Sequence, residues 1–280
     1  AKAQNPCVIG GVHGDETTLT KDIEKALETQ RAPLILLDEN KGYSNWRVNT
    51  QAYDNQVRAF STSRQEADER SDMNRAEIDD PSTKTEKERV LVKISKYDTP
   101  FLLDCHNDNS ISNEESSEKR LPHAYITDVG DVHHKISLAS ELGLYRVTII
   151  PQVAMAGSII ESLRKIKTQS DGMTVEVIGS DTSGTSGKIA LRFLQMFGVL
   201  NRGRRSNGVQ ILHEFQTTFL PPNPDIKIYR MELISEDQLG QDDLAHYIVI
   251  DEKPIKITRT QINGGVMSQV PMTEEDKKLY

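Results

Sequence analysis

The chain has 280 residues, which is long enough to bury a large core without support from disulfides or metals. Its 42 acidic residues outnumber its 34 lysines and arginines, and the net charge of −8 argues against a nucleic-acid-binding protein, which needs a basic surface. It has neither an apolar run of membrane-spanning length nor a signal-peptide pattern at its start, and only two cysteines. We therefore expect a soluble, cytoplasmic protein that binds neither nucleic acid nor membranes.

Short apolar runs alternate with amphipathic stretches over most of the chain. The apolar runs predict strands at 7–12, 33–38, 46–48, 100–106, 123–128, 145–151 and 173–179. Helical periodicity predicts helices at 16–30, 86–97, 132–143, 158–168 and 185–199. This alternation is typical of βαβ units. It predicts a three-layer α/β fold with a mixed, largely parallel sheet and helices on both faces.

Two polar segments and a proline cluster interrupt this pattern. Residues 49–89 and 107–120 are rich in charged and small polar side chains, and long loops of this kind in compact domains are usually functional or disordered. The prolines at 219–224 mark a boundary, after which IKIYRMELI, HYIVI and EKPIKITRT predict strands. We therefore expect a first domain over 1–218 and a small β-rich domain over 225–280.

Three residues could form a metal site. His13 and Glu16 come where the first predicted strand gives way to a helix, and His106 closes the strand FLLDCH. Sites in α/β sheets collect at the carboxyl ends of strands, and two imidazoles with one carboxylate are a ligand set of catalytic zinc. The alternative is that His106 is an ordinary polar residue at a strand end. In the same way, Glu16 could be present only because the helix dipole favours a negative charge at the N-terminus of a helix.

The polar segment between these ligands contains the string DMNR. A carboxylate beside a metal-bound histidine orients its ring, which makes Asp72 a candidate for that role. The guanidinium of Arg75 could pair with a carboxylate through two hydrogen bonds, and the amide of Asn74 could donate a hydrogen bond. Charged loops contain many such strings, so this interpretation depends on the position of DMNR between Glu16 and His106.

Glu176 lies in the predicted strand MTVEVIG, on the face opposite to its two valine neighbours. From near the end of that strand its carboxylate could take a proton from a metal-activated water and pass it to a leaving amine. The alternative is a surface glutamate on an edge strand.

The order GGVHGDE, DMNR, LLDCHND and TVEVIG resembles the aspartoacylase and succinylglutamate desuccinylase family, which is related to the zinc carboxypeptidases. The resemblance covers residues 7–215, with a weaker match after 225. It implies a zinc carboxypeptidase-like catalytic domain followed by a β-rich domain that caps the site. Its members hydrolyse the amide of N-acyl amino acids and release a short carboxylic acid.

The resemblance also implies roles for the residues around the metal. The family's zinc ligands match His13, Glu16 and His106, for one zinc ion per chain. Its general base and acid matches Glu176, and the acid that supports the first histidine matches Asp72.

The substrate-binding residues of the family match less completely. Its substrate-carboxylate ligands match Asn74 and Arg75. The arginine that polarises the scissile carbonyl has Arg64 and Arg70 as its nearest candidates, and we take Arg64 as the catalytic one. A further family arginine upstream of the base matches Arg164, with imperfect spacing.

We therefore expect a zinc-dependent hydrolase that cleaves the amide bond of a small anionic N-acyl amino acid, and we allow for a homo-oligomer. One alternative is a carboxypeptidase-like metallopeptidase, because the C-terminal domain is shorter than in the family. Another is a zinc-binding protein with impaired catalysis, because the family's C-terminal tyrosine has no counterpart in TEEDKK.

Overall fold

A computed structural model describes most of the first two thirds of the chain and parts of the remainder. The described residues are 4–13, 16–27, 34–36, 74, 84–108, 121–155, 157–198, 219–234, 246–250, 253–257 and 266–271. The strands within them are β1 (Asn5–Gly10), β2 (Leu34–Leu36), β3 (Pro100–Asp108), β4 (His123–Thr127), β5 (Arg146–Ile150), β6 (Asp171–Ile178), β7 (Lys227–Ile234), β8 (His246–Ile250), β9 (Lys253–Ile257) and β10 (Val266–Pro271). The helices are α1 (Thr17–Leu27), α2 (Lys84–Ser95), α3 (Val132–Glu141), α4 (Ile159–Ile166) and α5 (Thr185–Met196), with a 3-10 helix at Gln152–Met155.

The predicted elements agree closely with these bounds. The five predicted helices are present, and so are the predicted strands that fall on described residues, with ends displaced by a few residues. The strand predicted at 46–48 lies outside the described residues. The sequence pattern did not predict β10, which contains the polar pair Ser268 and Gln269.

Eight strands form one sheet in the order β10-β7-β5-β4-β6-β3-β1-β2, and β8 and β9 form a separate antiparallel pair. In the large sheet β4 pairs antiparallel with β6, and β10 pairs antiparallel with β7. The other five described pairings are parallel. This confirms the prediction of a mixed, largely parallel sheet.

Two strands from the predicted C-terminal domain continue the large sheet. β7 pairs parallel with β5, from Lys227 opposite Arg146 to Arg230 opposite Ile149. β10 then pairs with β7 at the edge of the sheet. The division of the chain into domains at 218 and 225 stays a prediction.

Helices cover both faces of the sheet, and we name each face by its helices. On the α1/α3/α5 face, apolar side chains of the central strands pack against those three helices; this core includes Leu103, Val175 and Phe193. On the α2/α4 face a smaller core packs Cys7, Ile9 and Leu102 against α2 and α4. The remainder of that face, over β3, β6, β4 and β5, carries polar side chains and forms the site described below.

Close helix packing holds the α1/α3/α5 face together. A Cβ atom at Gly187 would lie 2.4 Å from the carbonyl oxygen of Asp22, so only glycine lets α5 approach α1 this closely. None of the helices that the structure describes has the length and apolar character needed to cross a membrane.

Candidate active site

Two neighbouring strands bring three predicted ligands together. β1 and β3 run parallel, with Gly10 opposite Cys105, so their carboxyl ends reach the same edge of the sheet. His13 lies in the turn after β1, and its carbonyl oxygen accepts a 3.2 Å hydrogen bond from the backbone of Glu16 at the start of α1. His106 projects from β3. The local chain path therefore places one carboxylate between two imidazoles.

The ligand atoms of these residues converge. Nδ1 of His13 lies 2.9 Å from Oε1 of Glu16, and Nδ1 of His106 lies 3.1 Å from Oε2. The two Nδ1 atoms are 3.3 Å apart, and all three side chains are buried. Zinc bonds of about 2.0–2.1 Å in a tetrahedron separate ligand atoms by about 3.3 Å, so the donor set fits a zinc ion.

The electrostatics of this group also suit a cation. Burial alone would raise the pKa of Glu16, but His106 and His13 lower it to about 2, so the carboxylate stays ionised. Burial alone would lower the pKa of His106, but Asp104 and Glu16 raise it well above its usual value. With a raised pKa, the imidazole of His106 holds its proton more firmly. A metal ion displaces that proton when it binds, because the ligand nitrogen must be deprotonated.

Asp104 belongs to the candidate site, and the sequence interpretation missed it. It lies two residues before His106 on β3, so both side chains project from the same face of the strand. Its Oδ1 atom is 3.0 Å from Nε2 of His106. A carboxylate on the second nitrogen of a ligating histidine fixes the ring and raises its basicity. The spacing DxH on a predicted strand is the signal that could have revealed it.

Asn74 reaches the same cluster. Its Oδ1 accepts a 3.0 Å hydrogen bond from the backbone of Ile159 at the start of α4, which orients the amide. Its Nδ2 then lies 3.1 Å from Oδ2 of Asp104 and 2.9 Å from Nε2 of His106. The described contacts thus assign the amide to the support of His106, and its predicted role in binding substrate stays a prediction.

Asn107, which the sequence interpretation also missed, holds α1 at this edge of the sheet. Its Oδ1 accepts a 3.1 Å hydrogen bond from the backbone of Leu19, and its Nδ2 donates to the carbonyl of Val177 at 3.3 Å. One buried side chain therefore joins α1 to β3 and β6. This link keeps Glu16, which precedes α1, beside His106 and Glu176.

Glu176 lies next to this group on β6. The register of the sheet puts it directly opposite His106, and opposite residues project from the same face. Burial raises the pKa of Glu176 to about 8, and the carboxylates of Glu16 and Asp108 act in the same direction, while His106 opposes them. A general base works best with a pKa near the working pH, so the position and environment both suit that role.

Other predicted site residues are elsewhere or undescribed. The guanidinium of Arg164 lies 2.8 Å from Asp171 and 3.2 Å from Glu161. Asp171 begins β6, five residues or ~16 Å along the strand from Glu176. The structure therefore does not bring Arg164 together with the His13–Glu16–His106 group. The predicted residues Arg64, Asp72 and Arg75 lie outside the described residues.

Comparison with known proteins gives structural matches alone. Neither the protein-family models nor the curated proteins include a match to this chain. Among solved structures, the succinylglutamate desuccinylase from Vibrio cholerae matches with a TM-score of 0.50 and 14% identity over 97% of this chain and 82% of that one.

Two further solved structures are similar at lower TM-scores. The succinylglutamate desuccinylase from Chromobacterium violaceum has a TM-score of 0.47 and 13% identity over 89% of this chain and 74% of that one. A mutant of murine aminoacylase 3 has a TM-score of 0.41 and 15% identity over 96% of this chain and 86% of that one.

The predicted fold is thereby confirmed. The chain folds like the succinylglutamate desuccinylase from Vibrio cholerae, and within that fold it brings His13, Glu16 and His106 together beside Glu176.

Proposed function

We propose that the protein is a zinc-dependent hydrolase that cleaves the amide bond of N-acyl amino acids. The observation that carries this proposal is the buried convergence of His13, Glu16 and His106, with ligand atoms within 4.8 Å of one another, beside Glu176 on the next strand. Two histidines and one glutamate leave a fourth metal position for water or substrate. The similarity in fold to succinylglutamate desuccinylase supports the same class of reaction.

Each step of the hydrolysis has a candidate residue. A bound zinc ion would polarise the scissile carbonyl and lower the pKa of a water molecule to about 7. Glu176 takes a proton from the attacking water as its oxygen bonds to the carbonyl carbon. It returns that proton to the nitrogen as the carbon–nitrogen bond breaks, which releases the acyl group as a carboxylic acid and the free amino acid. Arg64 is proposed to polarise the carbonyl.

The neighbouring residues orient the site and the substrate. Asp104 and the amide of Asn74 hold the ring of His106 so that Nδ1 faces Glu16. Arg75 follows Asn74 in the chain and is proposed to bind the carboxylate of the amino acid. Its planar fork can bind a carboxylate through two parallel hydrogen bonds.

Metal analysis followed by a deacylation screen tests this proposal. We expect one zinc ion per chain and turnover of N-acyl amino acids. In Glu176→Gln we expect kcat to fall by about 10²–10⁴-fold with zinc content unchanged. Glu141→Gln, an exposed glutamate on α3, is the matched control and should retain full activity.

Two results would contradict the proposal. Full activity of Glu176→Gln with zinc bound would exclude Glu176 as the base. Turnover of short peptides in preference to acyl amino acids would favour the metallopeptidase instead, and bound zinc without any turnover would favour a binding protein.

A further inference from the structure

A lysine occupies a core-facing position of α2. The buried residues of this helix follow the spacing i, i+3, i+4 and i+7, and they are Lys87, Val90, Leu91 and Ile94. The three apolar members pack in the core of the α2/α4 face. Lys87 continues their stripe and is itself 0% exposed. Because a lysine is almost never fully buried unless its charge is paired or bonded, the contacts of its ammonium group indicate what the residue does.

The ammonium group of Lys87 holds the turn that leads into α4. Its Nζ donates a 2.6 Å hydrogen bond to the carbonyl oxygen of Gly157. Gly157 is buried and has a φ of 84°, a conformation that glycine adopts readily and other residues rarely. The next residue, Ser158, is the N-cap of α4, and its hydroxyl accepts a 3.1 Å hydrogen bond from the backbone of Glu161. Lys87 therefore fixes the peptide immediately before the first turn of α4.

The first turn of α4 orients a side chain at the candidate metal site. The first N–H groups of a helix have no acceptor within the helix, and that of Ile159 donates to Oδ1 of Asn74 at 3.0 Å. With its oxygen held there, the buried amide directs Nδ2 towards Oδ2 of Asp104 at 3.1 Å and Nε2 of His106 at 2.9 Å. The orientation of this amide thus depends on the position of the N-terminus of α4.

We propose that Lys87 is a positioning residue for the metal site and acts on Asn74 through α4. Without the ammonium group, the carbonyl of Gly157 loses a buried partner, and the first turn of α4 is held less firmly. The amide of Asn74 then supports the ring of His106 less well, and such support tunes the affinity of a ligating histidine for its metal. This inference rests on the metal binding that is part of the proposed function.

Zinc affinity in a double-mutant cycle tests the proposal. Lys87→Met nearly keeps the volume of the side chain but cannot donate to Gly157. We expect it to weaken zinc binding by about 3–10-fold, less than the loss of a group that touches the ligand itself. In Asn74→Ala the amide on which Lys87 acts is absent, so adding Lys87→Met should weaken zinc binding no further. Competition with a chelator measures the four affinities.

Lys135 on α3 offers a matched control. It is also 0% exposed, and its Nζ donates hydrogen bonds to the carbonyls of Thr127 and Val129 and to Oδ1 of Asp171. Asp171 begins β6, at the end of that strand remote from Glu176. Lys135→Met should therefore destabilise the fold but leave the zinc affinity of the folded protein unchanged. Equal weakening of zinc binding by the two methionine variants would refute a specific role for Lys87.

Lys87→Gln keeps the test available if Lys87→Met does not fold. Glutamine is shorter and uncharged but can still donate a hydrogen bond, so we expect zinc binding to weaken by about 2–5-fold with Asn74 present and not at all in Asn74→Ala. For either variant, an unchanged affinity with Asn74 present, or an equal loss with and without Asn74, would overturn the proposal.

Hydrogen exchange in the metal-free protein separates this proposal from the proposed function. If the zinc-loaded wild-type protein hydrolyses no N-acyl amino acid, the proposed function fails, and the zinc affinities still test Lys87. If the wild-type protein binds no zinc, amide exchange measured by NMR still reports on α4. In whichever Lys87 variant folds, we expect exchange at the N–H of Ile159 to accelerate at least about tenfold more than at Val175 in the central strand β6. Equal acceleration at both amides would show that Lys87 does not act on α4.

Discussion

The two faces of the central sheet share the same strands but differ in chemistry. On the α1/α3/α5 face, β3 contributes Phe101, Leu103 and Cys105 to a continuous apolar core. On the α2/α4 face the intervening residues of β3 include Asp104 and His106, which belong to the candidate metal site. Successive side chains of a strand project from opposite faces of the sheet, so adjacent residues of β3 belong in turn to the apolar core and to the polar site. Stability and chemistry should therefore respond to substitutions on different faces.

The largest effect on stability is expected on the α1/α3/α5 face. Phe193 on α5 is fully buried, with its ring centroid 6.0 Å from that of Phe101. Phe193→Ala should lower the free energy of unfolding by about 3–5 kcal/mol, because it leaves a cavity. Chemical denaturation measures the change. Zinc content below the unfolding transition should not change, and the control Val92→Ala, at an exposed site, should cost less than about 0.5 kcal/mol.

A pH-dependent loss of stability is expected from His123 on the α2/α4 face. The unfolded chain takes up a proton on this residue near pH 6.5, and the folded chain does so only near pH 4. The unfolded state therefore binds more protons between these values. Keeping His123 neutral therefore adds nothing unfavourable to the free energy of unfolding above pH 6.5. As the pH falls from 6.5 to about 4, this linkage lowers the free energy of unfolding by about 3 kcal/mol in total.

Denaturation of wild type and His123→Phe across this pH range measures that contribution. Phenylalanine keeps a ring beside Tyr125, whose ring centroid is 5.5 Å from that of His123, and it removes the titrating nitrogen. As the pH falls from 6.5 to about 4, the free energy of unfolding of wild type should decrease relative to that of the variant. A constant difference would contradict the assignment.

The smallest of these effects concerns metal affinity. Asp104→Asn should weaken zinc binding about 10–100-fold, because the carboxylate beside Nε2 of His106 is lost. Competition with a chelator measures the affinity. Cys105→Ala, the adjacent residue on the opposite face, should leave zinc affinity unchanged. Equal weakening by both substitutions would show that the two faces of β3 are not independent.

Much of the fold and the centre of the site could be predicted from local patterns. The candidate metal ligands His13, Glu16 and His106, and Glu176 beside them, could be picked out because residue type and strand alternation are visible over short spacings in the chain. Asp104 was missed although its spacing from His106 is also short. Asn107 could not be found in this way, because its partners on α1 and β6 are distant in the chain.

The sequence alone determined which residues have metal-binding chemistry and which strands and helices carry them, because these depend on neighbours in the chain. Tertiary structure decided the direction of β4 and β5, which brings His123 and Arg146 to the edge where β3 and β6 end. It also placed Arg164 in ion pairs with Asp171 and Glu161, away from Glu176. Strand direction and ion-pair partners depend on contacts between residues far apart in the chain, and a local pattern does not specify them.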